Sequence, residues 1–243
     1  MTSKNSNNEN YTSTNILNKF EHSIFDDSSK DIMIDYAELG IDNFFTNDIL
    51  KEIPILKSII AISKVGYNIH ERNLYNQTVV FLNEFNNTQD TEKVKQHREK
   101  IKNNSKMLQD ELGRILIILN RNIDLEKSKF LAKFYSAYID RKYEWATFCE
   151  LSDITDKLFI SDIKSLEKVY KNNGVKEGDK ITHNHERLIS IGLLKNDQRS
   201  GGLLWHNITV GDLSGNQDSN GENQTLIEIT DIGQIFCEVI FKS

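Results

Sequence analysis

The run from Asp124 to Tyr170 constrains the fold more than any other part of the chain. Phe130, Leu131, Phe134, Tyr135, Tyr138 and Ile139 fall on one face at helical spacing. Asp124 is placed to cap that helix, and the charged triplet Asp140-Arg141-Lys142 ends it. Trp145, Phe148, Cys149, Leu151, Ile154, Leu158, Phe159, Ile163, Leu166 and Val169 follow without strand-like alternation. They predict a second, longer helix with a break near Ser161-Asp162. Two helices with a short connection pack as antiparallel neighbours. Burying each large side chain stabilises by ~1.5–3 kcal/mol, so these aromatics are expected to anchor the fold.

The flanking segments extend a helical reading. Met1 to Asn18 is rich in Ser, Thr and Asn, and residues 1–27 are read as a disordered polar tail. A short helix is expected over Ser29–Leu39, ended by Gly40, with Phe44 and Phe45 in the turn beyond. Asp48–Val65 is densely apolar, with Pro54 suited to the first turn of a helix that begins near Ile53. A helix buried on most sides is the main expectation there. The alternative is a helix lying in a membrane surface and presenting Ile55, Leu56, Ile59, Ile60 and Ile62, since lysines flank the apolar face. Lys51, Glu52, Lys57 and Lys64 interrupt the segment, and no charge-free run approaches the roughly 20 residues of a spanning helix.

Gly66–Phe85 continues as helix or a kinked pair of helices, with Ile69, Leu74, Val79, Val80, Leu82 and Phe85 as its apolar set and His70-Glu71-Arg72 as a solvated turn. Thr91–Lys106 is highly charged and reads as an exposed helix or mobile arm. Leu108, Leu112 and Ile115–Leu119 form a strongly apolar helix that leads into the central pair.

After Tyr170 the character changes. Lys171-Asn172-Asn173-Gly174 signals a linker. A short helix is expected over His185–Leu194, strands over Leu203–Val210 and Leu226–Ile229, a Gly/Ser/Asn/Asp loop over Asp212–Asn223, and a last helix capped by Thr230. The order of helix, Gly192-Leu193-Leu194, strand, polar loop, strand, Thr230-Asp231-Ile232-Gly233 and helix resembles a winged-helix domain. Leu188, Ile191, Ile229 and Phe236 also carry that resemblance. It covers about a third of the chain and implies either a DNA reader or a protein-binding module. The layout as a whole is distantly similar to the abortive-infection Abi-alpha family, in organisation rather than through a diagnostic motif. That similarity implies a role in phage defence and carries over no catalytic residues.

Charge bears on which of these roles to expect. The net charge of −6 disfavours broad nucleic-acid binding. From Lys164 to Ser243 there are nine Lys/Arg against eleven Asp/Glu, and the presumed wing, Asp212–Glu222, holds three acids and no base. A wing that touches phosphate is normally basic. The candidate DNA contacts are Lys180, Arg187, Lys195 and Arg199.

Other chemistry finds little footing. His183-Asn184-His185 lacks the spacing of a metal-binding nuclease motif, and a site joining His183, His185 and His206 lacks an evident fourth ligand. The glycines at 201, 202, 211, 215 and 221 are not followed by lysine at phosphate-loop spacing. Asp153 and Asp156 lie one turn apart on a polar helix face. Cys149 and Cys237 sit in apolar patterns and read as reduced thiols of a cytoplasmic protein. The N-terminus has no apolar core of the kind a secretory signal needs. A single proline agrees with a mainly helical chain.

The expected architecture is therefore mainly α: a helical bundle over 28–170, then a small α+β winged-helix-like domain over 175–243. The expected function is non-enzymatic, without a cofactor, through binding of a protein partner or a second copy of the chain. DNA regulation and action at a membrane surface stand as alternatives.

Overall fold

The computed structural model describes residues 4–37, 48–62, 69–88, 91–176, 178–196 and 225–242. These residues are mostly helical, with one small antiparallel sheet. They divide into two compact units, Met1–Asp156 and Lys157–Ser243.

The first unit holds α1 (Lys4–Phe25), α2 (Asp27–Ala37), a 3₁₀ turn (Ile49–Glu52), α3 (Pro54–Ile62), α4 (Ile69–Thr88), α5 (Thr91–Lys102) and α6 (Ser105–Leu108). A π turn (Gln109–Gly113), α7 (Arg114–Arg121), α8 (Leu125–Ile139) and α9 (Trp145–Lys157) complete it. Its centre is the packing of α4 along α8. Phe81 and Phe85 stack with centroids 6.1 Å apart, and Phe85 meets Tyr135 at 5.7 Å. On the α9 side Trp145 stacks on Phe148 at 4.7 Å, and both contact Tyr138. Lys127, at the start of α8, donates to the Asp156 carbonyl near the end of α9. The two helices therefore run antiparallel, as the sequence predicts.

The N-terminal segment is not a disordered tail. Residues 4–25 are helical, and Phe20, Ile24 and Phe25 are buried. These three recur at i, i+4 and i+5, a helix stripe that the surrounding Asn and Ser residues obscure. Polar side chains lock the contact as well. Ser23 Oγ donates to the Lys19 carbonyl and accepts from the Ile55 N–H at 3.0 Å.

Three further expectations change. The charged segment after Thr91 is a docked helix, because Val94, His97 and Ile101 form a buried stripe at i, i+3 and i+7. Arg98 pins it to α1, with Nε 2.8 Å from Glu21 Oε1 and Nη1 donating to the Phe25 carbonyl. Pro54 opens α3 as expected, but Ile55, Leu56 and Ile59 are buried in the protein and Ile60 is half-buried. The face assigned to a membrane surface is thus turned into the core, where burial removes the same apolar area from water; the Ile62 side chain lies outside the described residues. Ile69, assigned to the apolar set of α4, is 90% exposed. Among the described residues no helix is long and apolar enough to cross a membrane.

The second unit begins earlier than the linker signal suggests. The helix after α9 breaks at Leu158-Phe159, and a 3₁₀ turn (Ile160–Asp162) leads into α10 (Ile163–Lys171). Then come β1 (Val175–Lys176), α11 (His183–Ser190), β2 (Leu194–Asn196), β3 (Thr225–Ile229) and α12 (Asp231–Phe241). The strands are antiparallel in the order β1-β3-β2, with Leu194 opposite Ile229 and Val175 opposite Ile227. Leu166, Val169, Leu188, Leu193, Ile227 and Phe236 are buried. Because α10 packs on α11, α12 and β3, it belongs to this unit and not to the helical body. Gly40, Phe44, Phe45, the strand expected at 203–210 and the presumed wing lie outside the described residues.

Candidate interaction surface

The element that shapes the surface of the first unit is the π turn. A π turn inserts an extra residue into the helical ladder and rotates the side chains that follow; such turns are frequent at functional sites. At 3.6 residues per turn Glu111 falls at i, i+4 and i+7 with Ile115 and Ile118, and in the structure it is buried as they are. Its Oε2 lies 2.8 Å from His97 Nε2 and accepts from Tyr135 OH at 3.0 Å; its Oε1 accepts from Tyr138 OH at 2.8 Å. Both carboxylate oxygens are occupied, which is what a buried carboxylate requires. Burial, and then the neighbouring Glu111 charge, push the pKa of both tyrosines above the ordinary phenol value. Their hydroxyls therefore remain donors at any physiological pH.

Both tyrosine hydroxyls of this quartet are held protonated and so are not activated nucleophiles. The cysteines add none, since burial raises both thiol pKa values, that of Cys237 to about 12. Among the described residues no group of three or more His, Cys, Asp or Glu could hold a metal ion, and His206 lies outside them.

The opposite side of the same turn faces a groove of about 560 Å³. Ile16 and Leu17 of α1 form one wall, and Gly113, Leu116 and Ile117 form the other. A Cβ added at Gly113 would come 4.0 Å from Leu17 Cδ2, so α1 runs close to the turn here. Ile117 is 61% exposed, although it sits in a helix whose other face holds the buried Ile115, Ile118 and Leu119. Charges rim the groove. Arg114 reaches Asp153 at 2.7 Å and Arg121 reaches Asp156 at 2.8 Å. The two aspartates read as a plain solvated face thus tie α9 to α7.

In the second unit two of the candidate DNA contacts, Arg187 and Lys195, are paired with carboxylates. Arg187 is held in a two-point pair by the buried Asp162 and lies over the Phe159 ring, 5.0 Å from its centroid. Lys195 is 3.6 Å from Glu228 across the β2–β3 pair. Lys180 is exposed, and Arg199 lies outside the described residues. The exposed positions of α11 are His183, Glu186 and Ser190.

Sequence reasoning missed the quartet. His97 lay in a segment read as exposed, and Glu111 is a carboxylate, a residue type seldom buried without partners that the sequence does not show. The chain matches no protein-family model, no curated protein and no solved structure.

Proposed function

We propose that this chain is a non-catalytic interaction protein that takes an apolar helical segment of a protein partner into the groove between α1 and α7. The observation that carries the reading is Ile117, a large apolar side chain left in water at the lip of a groove with apolar walls and a charged rim. A groove of this kind suits an amphipathic helix, whose apolar face fills it while polar flanks meet the rim. The second unit is read as a winged-helix module. The strand order β1-β3-β2 supports that, as do Gly192-Leu193-Leu194 after α11 and Thr230 to Gly233 at the start of α12. In this reading the module serves protein contact, since its best-placed arginine is committed to Asp162. The resemblance of the layout to Abi-alpha proteins points to phage defence as the setting.

Ile117→Glu tests the groove. An exposed substitution of this kind changes stability by about 0.5 kcal/mol or less, so the unfolding midpoint is expected to match wild type. In-cell cross-linking should then show one discrete adduct of the wild type that the variant lacks. Identical adduct patterns for the two proteins would sink the proposal. An adduct with a second copy would make the groove a self-association site.

The strand order also fits a DNA reader, and the distinction is measurable. A phosphate-contacting protein loses affinity steeply with salt. Titration of random duplex DNA at two salt concentrations should show no such binding by the full chain. Affinity that falls steeply with salt would make this a DNA-binding regulator.

A further inference from the structure

The second unit contains a cleft of about 240 Å³ that the interaction reading does not use. It lies among α10, β1 and the start of α11. Ser165, Lys168, Asn172, Lys180, Thr182 and His185 line it. At this size it falls below the roughly 300–1,000 Å³ of drug-sized ligand pockets, so it suits a small group.

His185 organises the cleft. Its ring is buried, and Nδ1 accepts the backbone N–H of Thr182 at 3.1 Å. A ring nitrogen that accepts carries no proton, so the neutral ring bears its proton on Nε2. Among the described residues that Nε2 has no hydrogen-bond partner, and the residue lines the cleft. Ser165 Oγ accepts from Asn184 Nδ2 at 3.1 Å, which leaves the serine proton free to donate. Lys168 and Lys180 are exposed, and among the described residues neither enters an ion pair. Asp179 is the one carboxylate among the described lining residues, and its Oδ2 is occupied by the Lys176 N–H at 3.0 Å. The cleft therefore offers donors and positive charge around a small space, beside the N-terminus of an eight-residue helix.

We propose that this cleft binds the phosphoryl group of a small phosphomonoester. Lys168 and Lys180 supply charge, His185 Nε2–H and the Ser165 hydroxyl supply directed donors, and the first turn of α11 supplies a favourable dipole. The proposal is independent of the groove between α1 and α7, since it rests on the second unit alone.

Binding would leave a mark on His185. Burial, and next the charge of Lys168, hold its imidazole pKa below the ordinary value, while Asp179 acts in the opposite sense. A dianion beside Nε2 stabilises the protonated ring, so its pKa must rise on binding. The experiment follows the His185 ring signals of the full chain by NMR across a pH series. Inorganic phosphate is the probe, ionic strength is held constant with chloride, and His185→Gln assigns the signals.

A saturable rise of the His185 pKa with phosphate is expected, weakened about tenfold or more in Lys168→Gln and unchanged in Lys95→Gln. Lys168 is exposed, so its replacement should leave the fold intact, which unchanged signals elsewhere would verify. No saturable shift at several millimolar phosphate would overturn the proposal, and so would an equal shift with chloride alone. A shift that duplex DNA produces at lower phosphate-group concentration than free phosphate would overturn it too, in favour of backbone phosphodiester contact.

Discussion

Glu111→Ala is expected to lower the stability of the first unit by about 3–5 kcal/mol, the cost of removing one partner from a buried charged network. The substitution leaves His97 Nε2, Tyr135 OH and Tyr138 OH without the oxygens they now contact. It also opens space at the junction of α5, the π turn and α8. Glu111→Gln should cost less, about 1–3 kcal/mol, since the amide keeps one acceptor oxygen but turns an NH₂ towards a hydroxyl donor. Urea unfolding followed by tryptophan fluorescence reads both values. A Glu111→Ala protein within about 1 kcal/mol of wild type would mean that the network adds little to stability. The tyrosines give an independent readout. Burial and the Glu111 charge together hold the Tyr138 hydroxyl above the usual phenol pKa. Phenolate absorbance in a pH titration should therefore appear at lower pH once the carboxylate is gone.

The same residue shows where the sequence is legible and where it is not. The α8–α9 pair could be read directly, because Phe130, Leu131, Phe134 and Phe148 fall at helical spacing and no polar atom in them demands a special partner. The break before α10 was legible too, although it falls at Leu158-Phe159, about three residues nearer the N-terminus than Ser161-Asp162 implies. Glu111 was not legible. Its spacing from Ile115 and Ile118 puts it on the buried face, but a carboxylate is ordinarily solvated, and only His97 and the two tyrosines, distant in sequence, make its burial tolerable. Likewise Arg98 reads as one more charge in a polar run, yet it pairs with Glu21 and Asp26 some seventy residues earlier. Long-range polar pairing leaves no periodic trace. The groove is hidden for a related reason. Ile16, Leu17 and Ile117 are plain helix residues until the close approach of α1 to Gly113 brings them together. The cleft at His185 depends on a tautomer that is fixed by a backbone N–H, and no letter of the sequence encodes that.

Gly233→Ala is expected to disrupt the second unit, and here two physical effects predict opposite signs. Helix propensity alone favours alanine by about 1 kcal/mol, since Gly233 lies in the first turn of α12. Packing opposes it. A Cβ at this position would sit 2.1 Å from the Leu193 carbonyl oxygen and 2.9 Å from Ile229 Cγ2. The carbonyl cannot simply turn aside. It accepts the Thr230 N–H at 3.1 Å, while Thr230 Oγ1 donates to the Gly192 carbonyl at 2.6 Å and accepts the Gly233 N–H at 3.0 Å. Thr230 and Gly233 thus clamp the start of α12 onto the turn between α11 and β2, which gives a physical reason for the Thr-x-x-Gly spacing. Overpacking costs about 1–3 kcal/mol when side chains can yield, and more when backbone must move. We therefore expect a net loss of about 3 kcal/mol or more. Hydrogen exchange should show amides of β3 and α12 losing protection by about a hundredfold, with α8 in the first unit unchanged. Equal or greater protection in α12 would mean that propensity outweighs the clash and that the α12 start does not need the close approach at Leu193.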